Sequence, residues 1–392
     1  MVKEADSLVK AGHKVTVIGQ YINSWAMSTD RALLATRSWE FVLVGGSPNK
    51  YQTIYFITRL MHKLAKKLSK VSTRVKIMEL ALGRCSHRLY KKALQYPADI
   101  YIGHNMGAIA ATAKAAKKKN VQCGFDAEDF HRNEESDDES SIGVKLRIFI
   151  ENTYLPEFHF ITAASPLICE KYEKLFPEKR IQTILNVFPR AANLNIVQAK
   201  NVRIRLFWFS QAIGLNRGLA EVLYAMSKFD DKFELHLLGA LSFEMEKLLE
   251  KTISSLNLRR TLIHTYPPLP PDDLISFSNQ FDIGLATELK VPYNREICLT
   301  NKIFSYIQAG LAVVATDTEA QKGLMKKHTD IGLLFNIEDN TGLVSVLNRY
   351  LENKELLYTH KQKAYALGQS ELCWEVEERK LLSYYNVVGD SK

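Results

Sequence analysis

Short apolar runs alternate with amphipathic stretches along most of the chain. "HKVTVIG" (13–19), "WEFVLVGG" (39–46), "ADIYIGH" (98–104), "VQCGFDAED" (121–129) and "FHFITAAS" (158–165) form a first series. A second series follows: "IRLFWFS" (204–210), "FELHLLG" (233–239), "TLIHTY" (261–266), "FDIGLATE" (281–288), "LAVVATD" (311–317) and "IGLLFN" (331–336). Runs that are apolar on both faces suit strands buried between helix layers. Their alternation with helical sequence predicts right-handed crossovers and parallel sheets, an α/β fold.

The two series meet at "ILNVFPRAANLNIVQAKN" (184–201), which holds Pro189, several Asn and few periodic apolar positions. The expected organisation is a first domain over 1–188, a linker over 189–201 and a second domain over 202–370. Two Rossmann-like domains would then face each other across a cleft. The tail 371–392 reads as an amphipathic helix packed back on the body.

Val2, Ala5, Leu8 and Val9 recur at helical spacing, and Gly12 stops that helix before the first strand. A doubly wound domain ordinarily opens on the strand that becomes central in its sheet. The chain therefore reads as a domain without its first strand. Between the second and third strands lies "YFITRLMHKLAKKLSKVSTRVKIME" (55–79). Phe56, Leu60, Leu64 and Leu68 line one stripe, and Arg59, Lys63, Lys66, Lys67, Lys70, Arg74 and Lys76 add charge with no acid before Glu79. Two readings fit: a packed helix with a solvated basic face, or a helix over 55–76 lying on an anionic membrane surface. The acidic run "EESDDE" (134–139) reads as a flexible loop.

With 392 residues, 46% hydrophobic and 24% charged, the chain can bury large cores without covalent staples. Cys85, Cys123, Cys169, Cys298 and Cys373 are scattered, so neither a disulfide framework nor a zinc site is predicted, and reducing cytosol is the expected compartment. No run of about 18 apolar residues predicts a membrane span, and early Glu4 and Asp6 do not suit a signal peptide. A net charge of +9 favours anionic partners. Nucleic acid is disfavoured, because aromatic residues do not interleave with the basic run as a stacking surface requires.

The motifs G-x-G-x-x-G, G-x-x-x-x-G-K-[ST], H-E-x-x-H and G-x-S-x-G are all missing, which disfavours dinucleotide, P-loop, zincin and hydrolase-elbow chemistry. What remains sits at the C-terminal ends of strands, where open α/β sheets place ligands. His104, Asp126, Glu128, Asp129 and His131 do so in the first series; Ser210, Gln211, Gly239 and Glu288 do so in the second. Each is also a plausible helix cap. Arg217 falls near the start of the helix "GLAEVLYAM", and Lys302 lies in the first turn of the helix capped by Thr300 or Asn301. A cation at the positive end of a helix dipole is sensible when an anion sits between them. Ser305 and Lys302 fall off the apolar stripe of Ile303, Phe304 and Ile307.

Several segments together resemble the retaining, nucleotide-sugar-dependent glycosyltransferases of GT-B architecture, family-4 type. They are "EADSLVKAGHKVTVIG", "ADIYIGHNMGAIAATAKAAKK", "GFDAEDFH", "ITAASPLICEKY", "TILNVFP", "FSQAIGLNRGLAEVL" and "NKIFSYIQAGLAVVATD". The resemblance implies a donor site in the second domain and an acceptor site in the first. Arg217 and the helix start at Thr300, Asn301 and Lys302 match elements that hold the donor diphosphate. His104 matches a histidine near the transferred sugar, with Asp126 and Glu128 on the neighbouring acceptor-side loop. No cofactor and no catalytic metal are implied. The acceptor would be a cell-surface glycan or a lipid-linked intermediate, and the protein would work in the cytoplasm or peripherally on the inner face of a membrane. The family often carries two glutamates eight positions apart, the second binding ribose hydroxyls. Here those places hold Ile297 and Ser305, with Glu296 one residue off, and Ala212 stands where a second basic residue is usual. Ser305→Glu is therefore expected to tighten donor binding. A non-catalytic sugar-nucleotide binder or assembly partner is the alternative reading.

Overall fold

The computed structural model describes residues 1–23, 31, 33–198 and 202–389. Positions 199–201 of the expected linker lie outside the described residues. The chain divides into two compact units, one of Met1–Leu185, Pro292–Asn294 and Glu378–Lys392, the other of Asn186–Val291 and Arg295–Glu377. Among the described residues every pair of strands is parallel, as the alternation predicts.

The first unit holds β1 (Thr16–Gln20) paired with β2 (Glu40–Val44). A separate four-stranded sheet runs β3 (Ile100–His104), β4 (Gln122–Ala127), β5 (Phe160–Ala163) and β6 (Arg180–Thr183) in that order. β6 has no counterpart among the expected strands. Its "RIQT" alternates polar and apolar residues, as an edge strand does, and lacks the double-sided apolar signal of its neighbours. β4 and β5 are largely buried, whereas β1 is half-buried throughout and β3 nearly so, despite their apolar sequences. The opening helix, Val2–Lys10, buries Glu4, Ala5 and Ser7, not its Val and Leu positions. Trp39 anchors it by donating an indole N–H to Asp6 Oδ1 at 2.7 Å. The final helix, Trp374–Gly389, packs Tyr385 against Phe160 of β5, ring centroids 5.2 Å apart.

The basic stretch differs from expectation. It forms two helices, Gln52–Leu68 and Val75–Leu82, separated at 69–74. The stripe of Phe56, Leu60, Leu64 and Leu68 faces solvent.

The second unit contains one six-stranded sheet in the order β12-β11-β10-β7-β8-β9. Its members are β7 (Ile204–Ala212), β8 (Phe233–Ala240), β9 (Ile263–Tyr266), β10 (Ile283–Ala286), β11 (Ala312–Thr316) and β12 (Gly332–Phe335). Leu206, Leu235, Leu285 and Val314 on the central strands pack with Val222, Leu347 and Tyr350 from helices, all fully buried. The strand order reverses between β7 and β10. A crevice at the carboxyl ends of those two strands is where such sheets take ligands.

Candidate functional site

At the β7/β10 reversal the second unit draws several expected residues together. β7 carries an irregular register between Phe209 and Ala212 before its chain turns. Gly239 of β8 lies against this turn; a Cβ there would come 2.4 Å from the Ser210 carbonyl oxygen, so its role is close backbone approach. Gly218, with φ of 75°, opens helix Leu219–Met226 and presses on Thr287, just past β10. The Thr287 hydroxyl donates to the Arg217 carbonyl at 2.8 Å. This stitch fixes Arg217 beside the end of β10. Its guanidinium is half-buried and donates weakly to the Ser210 hydroxyl at 3.4 Å, while Gln211 is exposed.

Glu288 follows β10 and is buried. The Lys302 ammonium donates to its Oε1 at 2.5 Å and lies 5.4 Å from the Trp208 ring centre. Thr300 Oγ1 approaches the same oxygen at 3.4 Å, and Asn301 is exposed. Burial alone would push the Glu288 carboxyl up; Lys302, then Arg217 and Arg295, overcome it and hold it below the usual carboxylate range. The sequence reading left the anion for Lys302 to a ligand; within the protein its charge is met by Glu288.

Ser305 requires a correction. It is fully buried in helix Asn301–Ala309, and its hydroxyl donates to the Lys302 carbonyl at 2.8 Å. Both it and Lys302 were expected off the packed face, yet every residue from Lys302 to Ala309 is buried. Ile297 is fully buried as well. Glu296 accepts from the backbone N–H of Glu319 at 3.2 Å, at the first residue of helix Glu319–Lys327. Neither position 297 nor 305 carries a carboxylate, and the other Glu296 oxygen, Oε2, is buried without a partner.

In the first unit, His104, Asp126 and Thr162 occupy one row across β3, β4 and β5, because their strands pair in register. Thr162 donates to Asp126 Oδ1 at 2.7 Å. His104 Nε2 lies 2.8 Å from Glu4 Oε2, and Nδ1 lies 3.1 Å from Asp126 Oδ2, a charge contact without the angle of a directed hydrogen bond. Tyr385 donates to the other oxygen of Glu4. Burial opposes a charged ring, but the Glu4 carboxylate and the contacts to Asp126 and Glu4 outweigh it, raising His104 to about 10. Asp126 is opposed by the same burial and held at about 2 by His104 and Thr162.

With both nitrogens turned to carboxylates, the His104 ring favours its charged form and suits fixing charge more than abstracting protons. The next residue, Asn105, has φ of 67°, a strained conformation for a residue with a Cβ. Glu128 is half-buried beyond this row. Lys3 is lowered to about 8 by burial, against the pull of Glu128 and Asp126. Asp129 accepts from Asn294 at 2.8 Å and His131 is tied to Glu134, so both serve local structure.

Sequence reasoning missed Glu4, Lys3, Thr162 and Tyr385. Glu4 sits on a helix among apolar positions, and only its burial marks it. Thr162 was legible in principle, since aligning the ends of the strands sets it opposite Asp126.

Two groups among the described residues bring three ligand-type atoms within 4.8 Å: Glu4–His104–Asp126 and Glu234–His236–His264. In the first, the His104 ring lies between the Glu4 and Asp126 carboxylates, 2.8 Å and 3.1 Å from their nearest oxygens. In the second the two imidazoles stack at 4.6 Å with planes 13° apart, so their in-plane lone pairs run side by side without converging.

Comparison with solved structures returns the same architecture repeatedly. Sucrose-phosphate synthase from Thermosynechococcus elongatus matches with a TM-score of 0.69 at 13% identity, covering 100% of this chain and 92% of that one. HepE of Anabaena, solved with UDP and glucose, matches with a TM-score of 0.65 at 14% identity, over 95% of this chain and 99% of that one. The fold is of the GT-B class. A glycosyltransferase from Rickettsia africae shares the GT-B likeness, with a TM-score of 0.65 and 14% identity over 100% of this chain and 94% of that one. No protein-family profile and no curated protein sequence matches the chain. At these identities the likeness concerns the GT-B fold itself.

Proposed function

We propose that the protein is a glycosyltransferase that takes a hexosyl group from a nucleotide-sugar donor, bound by the second unit at the β7/β10 reversal. One observation carries this reading. Arg217 is locked beside the end of β10, ahead of the helix start at Leu219, in a fold whose solved examples include a protein holding UDP and glucose. A guanidinium next to free helix N–H groups suits a diphosphate leaving group, whose charge grows as the glycosidic bond breaks. Ser210, Gln211, Gly239, Thr300 and Asn301 are placed around that anion in this reading. Glu288, fixed by Lys302, is the carboxylate available to donor hydroxyls in place of one at 305.

The reaction would retain the anomeric configuration and use no protein-held metal. His104, Asp126 and Glu128 belong to the acceptor side, where the imidazolium orders the row. The acceptor is a cell-surface glycan or lipid-linked intermediate, handled in the cytoplasm at the inner face of a membrane.

The test is thermal stabilisation by UDP, UDP-glucose and GDP-sugars, followed by a radiolabelled transfer and hydrolysis assay. Stabilisation by a nucleotide sugar is expected, weakened about tenfold or more in Arg217→Ala. If none of the ligands stabilises the protein, the donor site is not where we place it. A non-catalytic sugar-nucleotide binder is the second reading, favoured by the buried Ser305 and Ile297 and by a His104 ring committed to two carboxylates. Nucleotide binding that depends on Arg217, with neither transfer nor hydrolysis, would select it.

A further inference from the structure

Helix Gln52–Leu68 is packed by Tyr55 and by small and polar residues, and leaves its aliphatic side chains and Phe56 largely in solvent. Tyr55, Thr58, His62, Ala65 and Ser69 recur every three or four positions and form the seam with the rest of the first unit. His62 Nδ1 lies 2.6 Å from the Leu80 carbonyl of the neighbouring helix, and Arg84 donates to the Thr58 hydroxyl at 2.7 Å. On the other side Phe56, Ile57, Leu60, Met61, Leu64 and Leu68 are each between 47% and 61% exposed.

At roughly 100° per residue the exposed apolar residues cover an arc of roughly 140°, and the seam covers roughly 80° nearly opposite. Arg59, Lys63, Lys66 and Lys70 fill the remaining flank, Lys67 stands at the margin of the apolar arc, and all five are exposed. No acidic residue occurs between Tyr51 and Met78. Exposed Tyr51 and Val71 extend the apolar surface at either end of the helix.

A monomer gains nothing from a stripe of this kind in water, and contiguous exposed apolar surface marks a docking site. A protein partner would need acidic groups matched to one flank and an apolar face matched to the other. A bilayer with anionic headgroups supplies both at once: acyl chains below the apolar arc and negative charge beside the lysines.

We propose that this helix is an interfacial anchor that lays the first unit on an anionic lipid surface, its apolar arc in the acyl boundary and its lysine flank among the headgroups. The inference rests on the reading of a membrane-linked acceptor for its purpose, but not for its geometry.

The test is flotation of the full chain with vesicles of phosphatidylcholine alone and of phosphatidylcholine with an equal part of phosphatidylglycerol. Binding to the anionic vesicles, weakened by salt, is expected, with little to the neutral ones. Lys63→Glu/Lys66→Glu/Lys67→Glu should lower binding by about 100-fold or more, since each cation near the surface contributes about fivefold. Phe56→Ser/Leu60→Ser/Leu64→Ser should lose binding comparably while keeping its circular dichroism and melting temperature, because those side chains are outside the packed core.

Equal partition of wild type and the serine variant overturns the proposal. So does a wild-type dimer that the serine variant converts to monomer without any vesicle binding, for then a second copy covers the face. UDP-sugar stabilisation, measured in parallel without lipid, separates the two readings. Vesicle binding without a nucleotide response sinks the donor site alone, and the reverse sinks the anchor alone.

Discussion

Helices Gln52–Leu68 and Asn301–Ala309 invert each other. Both have an apolar stripe and a polar remainder in sequence, and each was open to reading as a packed helix with its polar groups outward. In Asn301–Ala309 the polar residues Lys302, Ser305 and Gln308 are buried along with the stripe. In Gln52–Leu68 the stripe itself is exposed and Tyr55, Thr58 and Ala65 make the seam. Burial follows what a neighbour can satisfy. Glu288 meets Lys302, the Lys302 carbonyl meets Ser305, and Gln308 Nε2 donates to the Gly368 carbonyl at 2.6 Å. Among the described residues of the first unit, none covers Leu60 or Leu64 in the same way.

The largest expected effect falls on the buried pair. Lys302→Ala removes the direct partner of the buried Glu288 carboxylate, leaving only the more distant Arg217 and Arg295, and should cost about 3 kcal/mol, read from urea unfolding. If Lys302→Ala is harmless, Glu288 is solvated and the contrast between the helices fails. Lys302→Met with Glu288→Gln should recover much of the loss, since no lone charge remains.

Ser305→Glu comes next, and its expected outcome is reversed from the sequence reading. A carboxylate at this fully buried position has no cation to meet, because Lys302 is already paired. Unfolding stability should fall by several kcal/mol, with no gain in UDP affinity. Ser305→Ala removes one internal hydrogen bond and should cost about 1 kcal/mol.

The first-unit row gives a smaller, pH-dependent effect. His104 is raised to about 10 in the folded state, against an ordinary value near 6.5. Its contribution is complete below about pH 6.5 and is lost as pH rises through about 10. Asp126, held at about 2, contributes above its ordinary value near 4 and loses that contribution as pH falls. Wild-type stability should therefore decline between about pH 6.5 and 10, and His104→Gln should flatten that decline. Parallel curves for the two proteins would show that the ring is not charged between Glu4 and Asp126.

The smallest effect sharpens the comparison from the other side. Leu60→Ser with Leu64→Ser should change stability by no more than about 0.5 kcal/mol, because both side chains lie in solvent. A loss of 2 kcal/mol or more by thermal melting would place them in a packed core.

Strand–helix alternation, parallel pairing and the place of Arg217 just ahead of a helix start were legible in the sequence. They follow from local periodicity and from where a cation sits relative to a helix start, which neighbours in the chain determine. The polar edge strand β6 was not legible, since its alternation carries only half of the apolar signal. The partners of Lys302 and His104 were hidden for a different reason: Glu288, fourteen positions before Lys302, and Glu4, a hundred positions before His104, meet them only through folding. Sequence by itself determined which segments are helices and strands, because backbone hydrogen bonding and side-chain period are local. Tertiary structure alone decided which helix faces are buried and which charges are neutralised, because burial and Coulomb energy depend on what lies across the fold.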